Sequence, residues 1–325
     1  MDGFPTTSPT TFLTADDLGK ALRQDVAEGL TGEPKTLPPK WFYDERGSAL
    51  FEEITRLEEY YPTRRERAIL TARAPEIAAA TGARMLLELG AGSGEKTRLL
   101  LDALDGTLGT YVPVDVSGDF LAAAAAQIAA DHPRVVVRPV VADYEKHLHL
   151  LPQGDRRIVA FLGGTIGNMP PAGRIGFLGG VRATMSDGDA LLIGADLIKD
   201  PKRLVRAYDD VRGVTAEFNR NVLTVINREL DADFVPEAFE HVAVWDAANE
   251  WIEMRLRSTV EQTVRVGRLD LDVRFAAGEE MRTEISAKFS RERLVAELGA
   301  AGLVLERFWT DPDGDFSLCL ARPTV

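Results

Sequence analysis

Leu86-Leu87-Glu88-Leu89-Gly90-Ala91-Gly92-Ser93-Gly94-Glu95-Lys96, running on into Thr97-Arg98-Leu99-Leu100-Leu101, is the stretch that decides how this chain folds. An apolar run ends in an acid and three glycines at alternate positions, then turns helix-like. Strand, tight turn and helix start in that order hold a nucleotide-like ligand at the carboxyl end of a parallel sheet. Glycine suits the turn because a Cβ would obstruct both a positive φ and close approach of a ligand to the backbone. A dinucleotide fingerprint needs glycine at the first, third and sixth loop positions. Glu95 occupies the sixth, which argues against a nicotinamide-dependent oxidoreductase.

Downstream runs extend the pattern. Gly109-Thr110-Tyr111-Val112-Pro113-Val114-Asp115 reads as a neighbouring strand ending in an acid, twenty-five positions after Gly90. Asp115 there can accept both ribose hydroxyls of an adenosyl ligand. It also precedes Val116-Ser117-Gly118-Asp119 and an alanine-rich helix, where an acid serves as an N-cap; with the glycine loop in place the ribose role is favoured. Val135 to Tyr144 is a third run, in which Asp143 can accept from an adenine amino group while Tyr144 backs the ring. A fourth, Ile158-Val159-Ala160-Phe161-Leu162, leads into Gly163-Gly164-Thr165-Ile166-Gly167-Asn168. The loop's Glu-x-Gly-x-Gly-x-Gly form, with Gly90, Gly92 and Gly94, resembles the first motif of class I S-adenosylmethionine-dependent methyltransferases.

Composition narrows the partners. Apolar residues make up 45% of the 325 and charged ones 27%, ordinary for a globular protein. The net charge of −13, from 38 basic and 51 acidic residues, speaks against nucleic acid, which calls for a basic face. Arg64-Arg65-Glu66-Arg67 is short and contains an acid, and reads as a solvated helix face. No apolar stretch is long enough to span a bilayer, roughly 18 residues. Residues 1–14 lack a signal pattern and read as a flexible leader, so a cytoplasmic protein is expected. Cys319 is the single cysteine, in the alternating run Phe316 to Leu320, and reads as a packed thiol. His147 and His149 complete no metal motif, and no metal is expected.

Organisation follows from periodicity. The expected architecture is α/β, a class I methyltransferase Rossmann-like sheet with an inserted α+β substrate-binding lobe. Residues 15–64, 84–198 and 288–325 are assigned to the core, and 65–83 and 199–287 to the lobe. Pro38 to Asp44 and Glu59 to Arg64 are aromatic-rich connectors, whose rings suit either a lid or packing of the N-terminal helices. Leu204 to Leu230 reads as helix. Phe239 to Trp245, Trp251 to Arg257 and Val264 to Val266 alternate apolar and polar, as half-exposed antiparallel strands do. Arg291 to Ala301 is an amphipathic helix, and Leu303 to Trp309 with Phe316 to Ala321 forms a closing hairpin around Asp311-Pro312-Asp313-Gly314-Asp315.

Longer segments carry a narrower resemblance. They are Thr36-Leu37-Pro38-Pro39-Lys40-Trp41-Phe42-Tyr43-Asp44, Gly47-Ser48-x-Leu50-Phe51-x-x-Ile54-Thr55, Tyr60-Tyr61-Pro62-Thr63-Arg64, Phe161 to Asn168, and Tyr208-Asp209-Asp210. Together they resemble the histidine-specific Nα-methyltransferases of ergothioneine biosynthesis, from about Leu18 to Arg322. That resemblance implies three methyl transfers from S-adenosylmethionine to L-histidine, giving hercynine, in an enzyme expected to be monomeric. It implies cofactor contacts at Gly90, Lys96, Asp115, Asp143 and Tyr144, with Lys96 facing the methionine carboxylate. It places histidine against Tyr60, Asn168, Tyr208 and the Glu284-Ile285-Ser286 segment. Gly164 stands where some relatives carry serine. In chemical terms Glu284 can accept from an imidazole N–H, Ser286 and Tyr60 can pin the other ring edge, and Asn168 and Tyr208 can hold the amino and carboxylate end. Tyr43 offers a π face to a methylammonium or simply packs; Met254 lines the imidazole pocket or belongs to the core. A methyltransferase for another amino acid or small amine is the alternative reading.

Overall fold

The computed structural model describes residues 8–92 and 94–324, so Ser93 of the glycine loop and the first seven positions of the leader lie outside the described residues. Part of the expected leader is a strand: β1 (Thr10–Thr11) pairs in parallel with Val140–Val141. Helix α1 (Ala15–Thr31) starts in a capping box, with Thr14 accepting from the Asp17 N–H and the Asp17 carboxylate accepting from the Thr14 N–H. Helix α2 (Glu45–Ile54) is capped by Asp44, and α3 (Pro62–Thr81) follows with proline in its first turn.

From there strand and helix alternate: β2 (Met85–Leu89), α4 (Thr97–Ala103), β3 (Thr110–Asp115), α5 (Gly118–Asp131), β4 (Val136–Val137), β5 (Val140–Val141), α6 (Tyr144–His147), β6 (Arg157–Phe161), α7 (Pro171–Ala183) and β7 (Ala190–Asp196). The run expected as one strand from Val135 is split into β4 and β5 at Arg138-Pro139, because proline cannot donate to the ladder. The helix expected over Leu204 to Leu230 is also two, α8 (Pro201–Tyr208) and α9 (Val214–Leu230). Gly213 between them has φ +74, and Asp210 accepts the N–H groups of Arg212, Val214 and Thr215. After β8 (Phe239–Asp246), β9 (Trp251–Ser258), β10 (Gln262–Val266), β11 (Leu271–Phe275) and β12 (Glu280–Ala287), the chain ends in α10 (Arg291–Ala300) and the hairpin β13 (Leu303–Thr310) and β14 (Phe316–Pro323).

Two compact units result. The first takes the residues up to Leu13, Arg64–Leu197 and Phe289 onward; the second takes Thr14–Thr63 and Ile198–Lys288. This corrects the expected division, in which 15–64 were core and 65–83 lobe. The cause is the apolar stripes. Leu22, Val26 and Leu30 of α1 share a core with Val222 and Ile226 of α9 and Leu256 of β9, whereas Ile69, Leu70 and Ile77 of α3 share one with Leu86, Leu100 and Leu192.

In the first unit one sheet runs β1-β5-β3-β2-β6-β7-β14-β13, with β4 also on β3. Its pairings are parallel except where β14 meets β7 and β13. Every residue of β2, β6 and β7 is buried, as strands covered on both faces require. The second unit has a three-stranded antiparallel sheet, β12-β9-β8, and a separate β10-β11 hairpin. Among the described residues no helix is long and apolar enough to cross a membrane.

Candidate active site

In the first unit the predicted cofactor residues gather at the carboxyl ends of β2, β3 and β5. Gly90, Gly92 and Gly94 all have positive φ, and a Cβ on Gly94 would come within 2.8 Å of Ile128. A Cβ on Gly92 would meet nothing within 4 Å, so the loop backbone is open on that side. The Asp115 carboxylate is held by its own neighbourhood: one oxygen accepts the Gly92 N–H at 3.2 Å, the other the Ser117 N–H at 3.0 Å. The ribose and capping readings of Asp115 are therefore compatible, since each oxygen keeps a lone pair. Burial raises its pKa, against the opposing pull of those N–H groups. Asp143 caps α6 by accepting the Glu145 N–H, and the Tyr144 ring packs edge-on against Phe161 and Phe177 at 5.3 and 5.9 Å. The edge of that ring faces Gly90, 3.8 Å from where a Cβ would stand.

Lys96 sits at the start of α4 and is ion-paired with Glu66. Glu66 is fully buried and also accepts the Gly163 N–H, at 2.8 and 3.0 Å to its two oxygens. This corrects the reading of Arg64 to Arg67 as a solvated face. Arg65 pairs with the buried Asp311 and Asp315 and the exposed Asp313, and Arg67 with the exposed Glu95, while the acid between them points inward. Asp311, Asp313 and Asp315 lie within 4.8 Å of one another, but Asp311 caps their turn by accepting the N–H groups of Asp313, Asp315 and Phe316. Glu88, at the end of β2, accepts from Thr97 and Tyr111, both at 2.5 Å, and burial pushes its pKa up to about 7. Asn168 ends the turn Thr165–Asn168 that follows the left-handed Gly164.

The second unit brings most of the predicted substrate residues together. Tyr208 lies 2.7 Å from Ser286 through their hydroxyls, and its ring meets Tyr60 at 6.2 Å. Tyr60 in turn contacts Phe51, which with Phe218 flanks Tyr43 at 5.6 and 5.5 Å. Within this unit the aromatic connectors pack: Phe42 is fully buried against Phe218. A bulge in β12 at Thr283 sets the register so that Glu284 stands directly across from Met254, and Ser286 across from Ile252. Glu284, Ser286 and Met254 thus share one face. Ile285 pairs with Glu253 and alternates onto the opposite face.

Two groups escaped the sequence reading. Lys288 is fully buried and donates to both Tyr208 Oη, at 2.9 Å, and Ser286 Oγ, at 2.8 Å. Strand alternation from Ser286 was a signal that could have found it. The other is a buried relay behind Tyr208. Thr283 donates to Asn219 at 2.6 Å, Asn219 to His241 Nδ1 at 2.9 Å, and His241 Nε2 to the Tyr208 carbonyl at 2.7 Å. Burial lowers the His241 pKa, which suits the neutral tautomer this relay needs. Nothing in the sequence marks Glu66 or Asn219 as different from surface residues.

A family profile for histidine-specific, S-adenosylmethionine-dependent methyltransferases matches residues 22–323. The chain belongs to this family. It is 56% identical, over 97% of its length, to a histidine N-alpha-methyltransferase of Mycolicibacterium smegmatis, of which it covers 99%. With a histidine N-alpha-methyltransferase of Mycobacterium tuberculosis it shares 57% identity over 93% of this chain and 94% of that one. Ergothioneine biosynthesis protein 1 of Neurospora crassa is 31% identical over 85% of this chain, which spans 32% of that longer protein. The chain is a methyltransferase of class I architecture.

Proposed function

We propose that this enzyme transfers three methyl groups in succession from S-adenosylmethionine to the α-amino nitrogen of L-histidine, giving hercynine for ergothioneine biosynthesis. The observation that carries this reading is the shared face of β12 and β9. There a carboxylate, Glu284, and a hydroxyl, Ser286, stand two residues apart beside Met254 and Ile252. An imidazole presents one N–H and one bare nitrogen along its edge, and an acceptor paired with a donor matches it. A side chain with no N–H to offer would forgo the bond to Glu284 and bind less well for it.

The donor set in the first unit suits an adenosyl group: Asp115 for the ribose hydroxyls, Asp143 for the adenine amino group, the Tyr144 ring beside them, and the open backbone at Gly92. Lys96, steadied by Glu66, is the cation for the methionine carboxylate. When bound, S-adenosylmethionine supplies a methyl group made electrophilic by its sulfonium. The chain's own residues hold the amine in place; a neutral nitrogen lone pair aimed in line needs positioning above all. Tyr208 binds the amino and carboxylate end, Tyr60 flanks the ring, and Tyr43 offers its π face to the growing methylammonium. No metal takes part in this reading. The reading has the enzyme act as a monomer, in the cytoplasm.

The test is incubation of purified protein with S-adenosylmethionine and each amino acid in turn, with products read by tandem mass spectrometry. Histidine should gain three methyl groups, all on the α-nitrogen. A methyl on a ring nitrogen, or preferential turnover of another amine, overturns the assignment.

A further inference from the structure

Glu284 and Ser286 reach the Met254 face only because β12 carries one residue more than a plain ladder needs. Arg282 stands across from Arg255. An unbroken antiparallel register would then set Thr283 against Met254 and Glu284 against Glu253, which alternation puts on the opposite face. Thr283 is instead the extra residue of the bulge. Beyond it the partners shift by one, so that Glu284 meets Met254 and Ser286 meets Ile252.

The bulge is held from two sides. Thr283 is fully buried, and its hydroxyl faces Asn219 Oδ1 at 2.6 Å and the Met254 carbonyl at 3.0 Å. Both partners only accept, so the hydroxyl donates whichever of them takes the proton. The direction of the Asn219 amide is set independently of it. Asn219 Nδ2 lies 3.1 Å from the Arg255 carbonyl and 2.9 Å from His241 Nδ1. A carbonyl can only accept, so the amide nitrogen faces Arg255 and the amide oxygen is left for Thr283. His241 agrees with this direction. Its Nε2 faces the Tyr208 carbonyl at 2.7 Å and keeps the ring proton there, which leaves Nδ1 to accept. Asn219 is fully buried, and its amide joins α9, β8, β9 and β12 at the point where the register changes.

We infer that Thr283 and Asn219 are positioning residues for the substrate's ring, which together lock the bulge that turns Glu284 and Ser286 toward it. The inference rests on the histidine reading and deepens it, because it names what aims the selecting carboxylate. The hydroxyl matters here, and the branched shape of threonine does not replace it. Without the hydroxyl the buried Asn219 oxygen loses its donor. The bulge then loses its tie to α9, and Glu284 is aimed less narrowly at the ring.

The test uses the full-length enzyme with histidine as the varied substrate. Thr283→Val keeps the branched shape and removes the hydroxyl, whereas Thr283→Ser keeps the hydroxyl. Thr283→Val should raise the histidine KM by about tenfold or more, and Thr283→Ser should stay within about threefold of wild type. In both, the S-adenosylmethionine dissociation constant should stay within about twofold of wild type. A merely structural role would lower the amount of active enzyme, and with it the apparent kcat, and leave KM where it was. Because the lock acts through Glu284, Thr283→Val placed on top of Glu284→Ala should cost about threefold or less in kcat/KM, against about tenfold in wild type. Should Thr283→Val not fold, Asn219→Ala carries the test. It spares the Thr283 bond to Met254, and its histidine KM should rise by about threefold or more. A folded Thr283→Val or Asn219→Ala enzyme with histidine KM within about twofold of wild type overturns the inference. So does a Thr283→Ser enzyme as impaired as Thr283→Val, or an equal loss with and without Glu284. Each of these leaves the histidine assignment standing. A wild type that does not turn over histidine overturns both.

Discussion

Glu88 shows how one buried side chain can write itself into the stability of the whole chain. Its pKa is about 7 in the fold against an ordinary 4.5, because burial disfavours the carboxylate more than Thr97 and Tyr111 restore it. The protonated acid is therefore favoured in the native state. That contribution is fully present below pH 4.5 and is lost as pH rises from 4.5 through about 7. Glu88→Gln cannot titrate, so relative to wild type it should gain about 2–3 kcal/mol between pH 5 and pH 8, read by urea unfolding at both pH values. Asp115→Ala removes the acceptor proposed for the ribose and should weaken S-adenosylmethionine binding by roughly 1.5–3 kcal/mol, the range for bonds to a charged group; calorimetry with unchanged affinity would refute that role. Glu284→Ala should lower kcat/KM for histidine by about a hundredfold, or 2–3 kcal/mol, with cofactor affinity held within twofold. The position of a residue was legible where it follows from a strand end, as for Asp115 at the end of β3. Glu66 and Lys288 were not, since a buried charge is defined by partners distant in sequence, and the arginines around Glu66 disguise it.

At the scale of elements, the strands around the glycine loop could be read because covered parallel strands are continuous apolar runs. What misled was punctuation within an element. Pro139 divides an apolar run whose residues otherwise favour one strand, and Asp210 with Gly213 divides what looked like a single helix. The bulge at Thr283 left no trace in the alternation, yet it sets which side chains of β12 stand opposite Met254. Strand β7 carries a further constraint. A Cβ on Gly194 would fall 2.0 Å from the Glu66 carboxylate and 3.2 Å from the Phe316 ring. Gly194→Ala should cost about 1–3 kcal/mol in overpacking. It should also weaken S-adenosylmethionine binding, because Glu66 must leave the Gly163 N–H and Lys96. Differential scanning calorimetry and a cofactor titration read the two effects, and intact affinity in a destabilised variant would detach Glu66 from the pocket.

For the molecule as a whole, the sequence revealed that a parallel-sheet core carries an inserted lobe but misplaced the N-terminal helices. Amphipathic helices declare that they pack, not against what. The core that α1 shares with α9 and β9 supplies a prediction. Leu30→Ala should cost about 2–5 kcal/mol and speed amide hydrogen exchange in α9 and β8–β9 as well as in α1; acceleration confined to residues 14–63 would contradict a common core. The same discontinuity has a consequence in time. The second unit needs Thr14–Thr63 and Ile198–Lys288 together, yet the ribosome makes them in order. At 5–20 residues per second the first piece waits on the order of 10–45 s before Lys288 is added, with Leu22, Val26 and Leu30 lacking their α9 partners until Leu230 is made and their β9 partner until the chain has passed Leu256. Nascent chains of this enzyme should therefore be clients of hydrophobic-binding chaperones until the final strands of the second unit emerge.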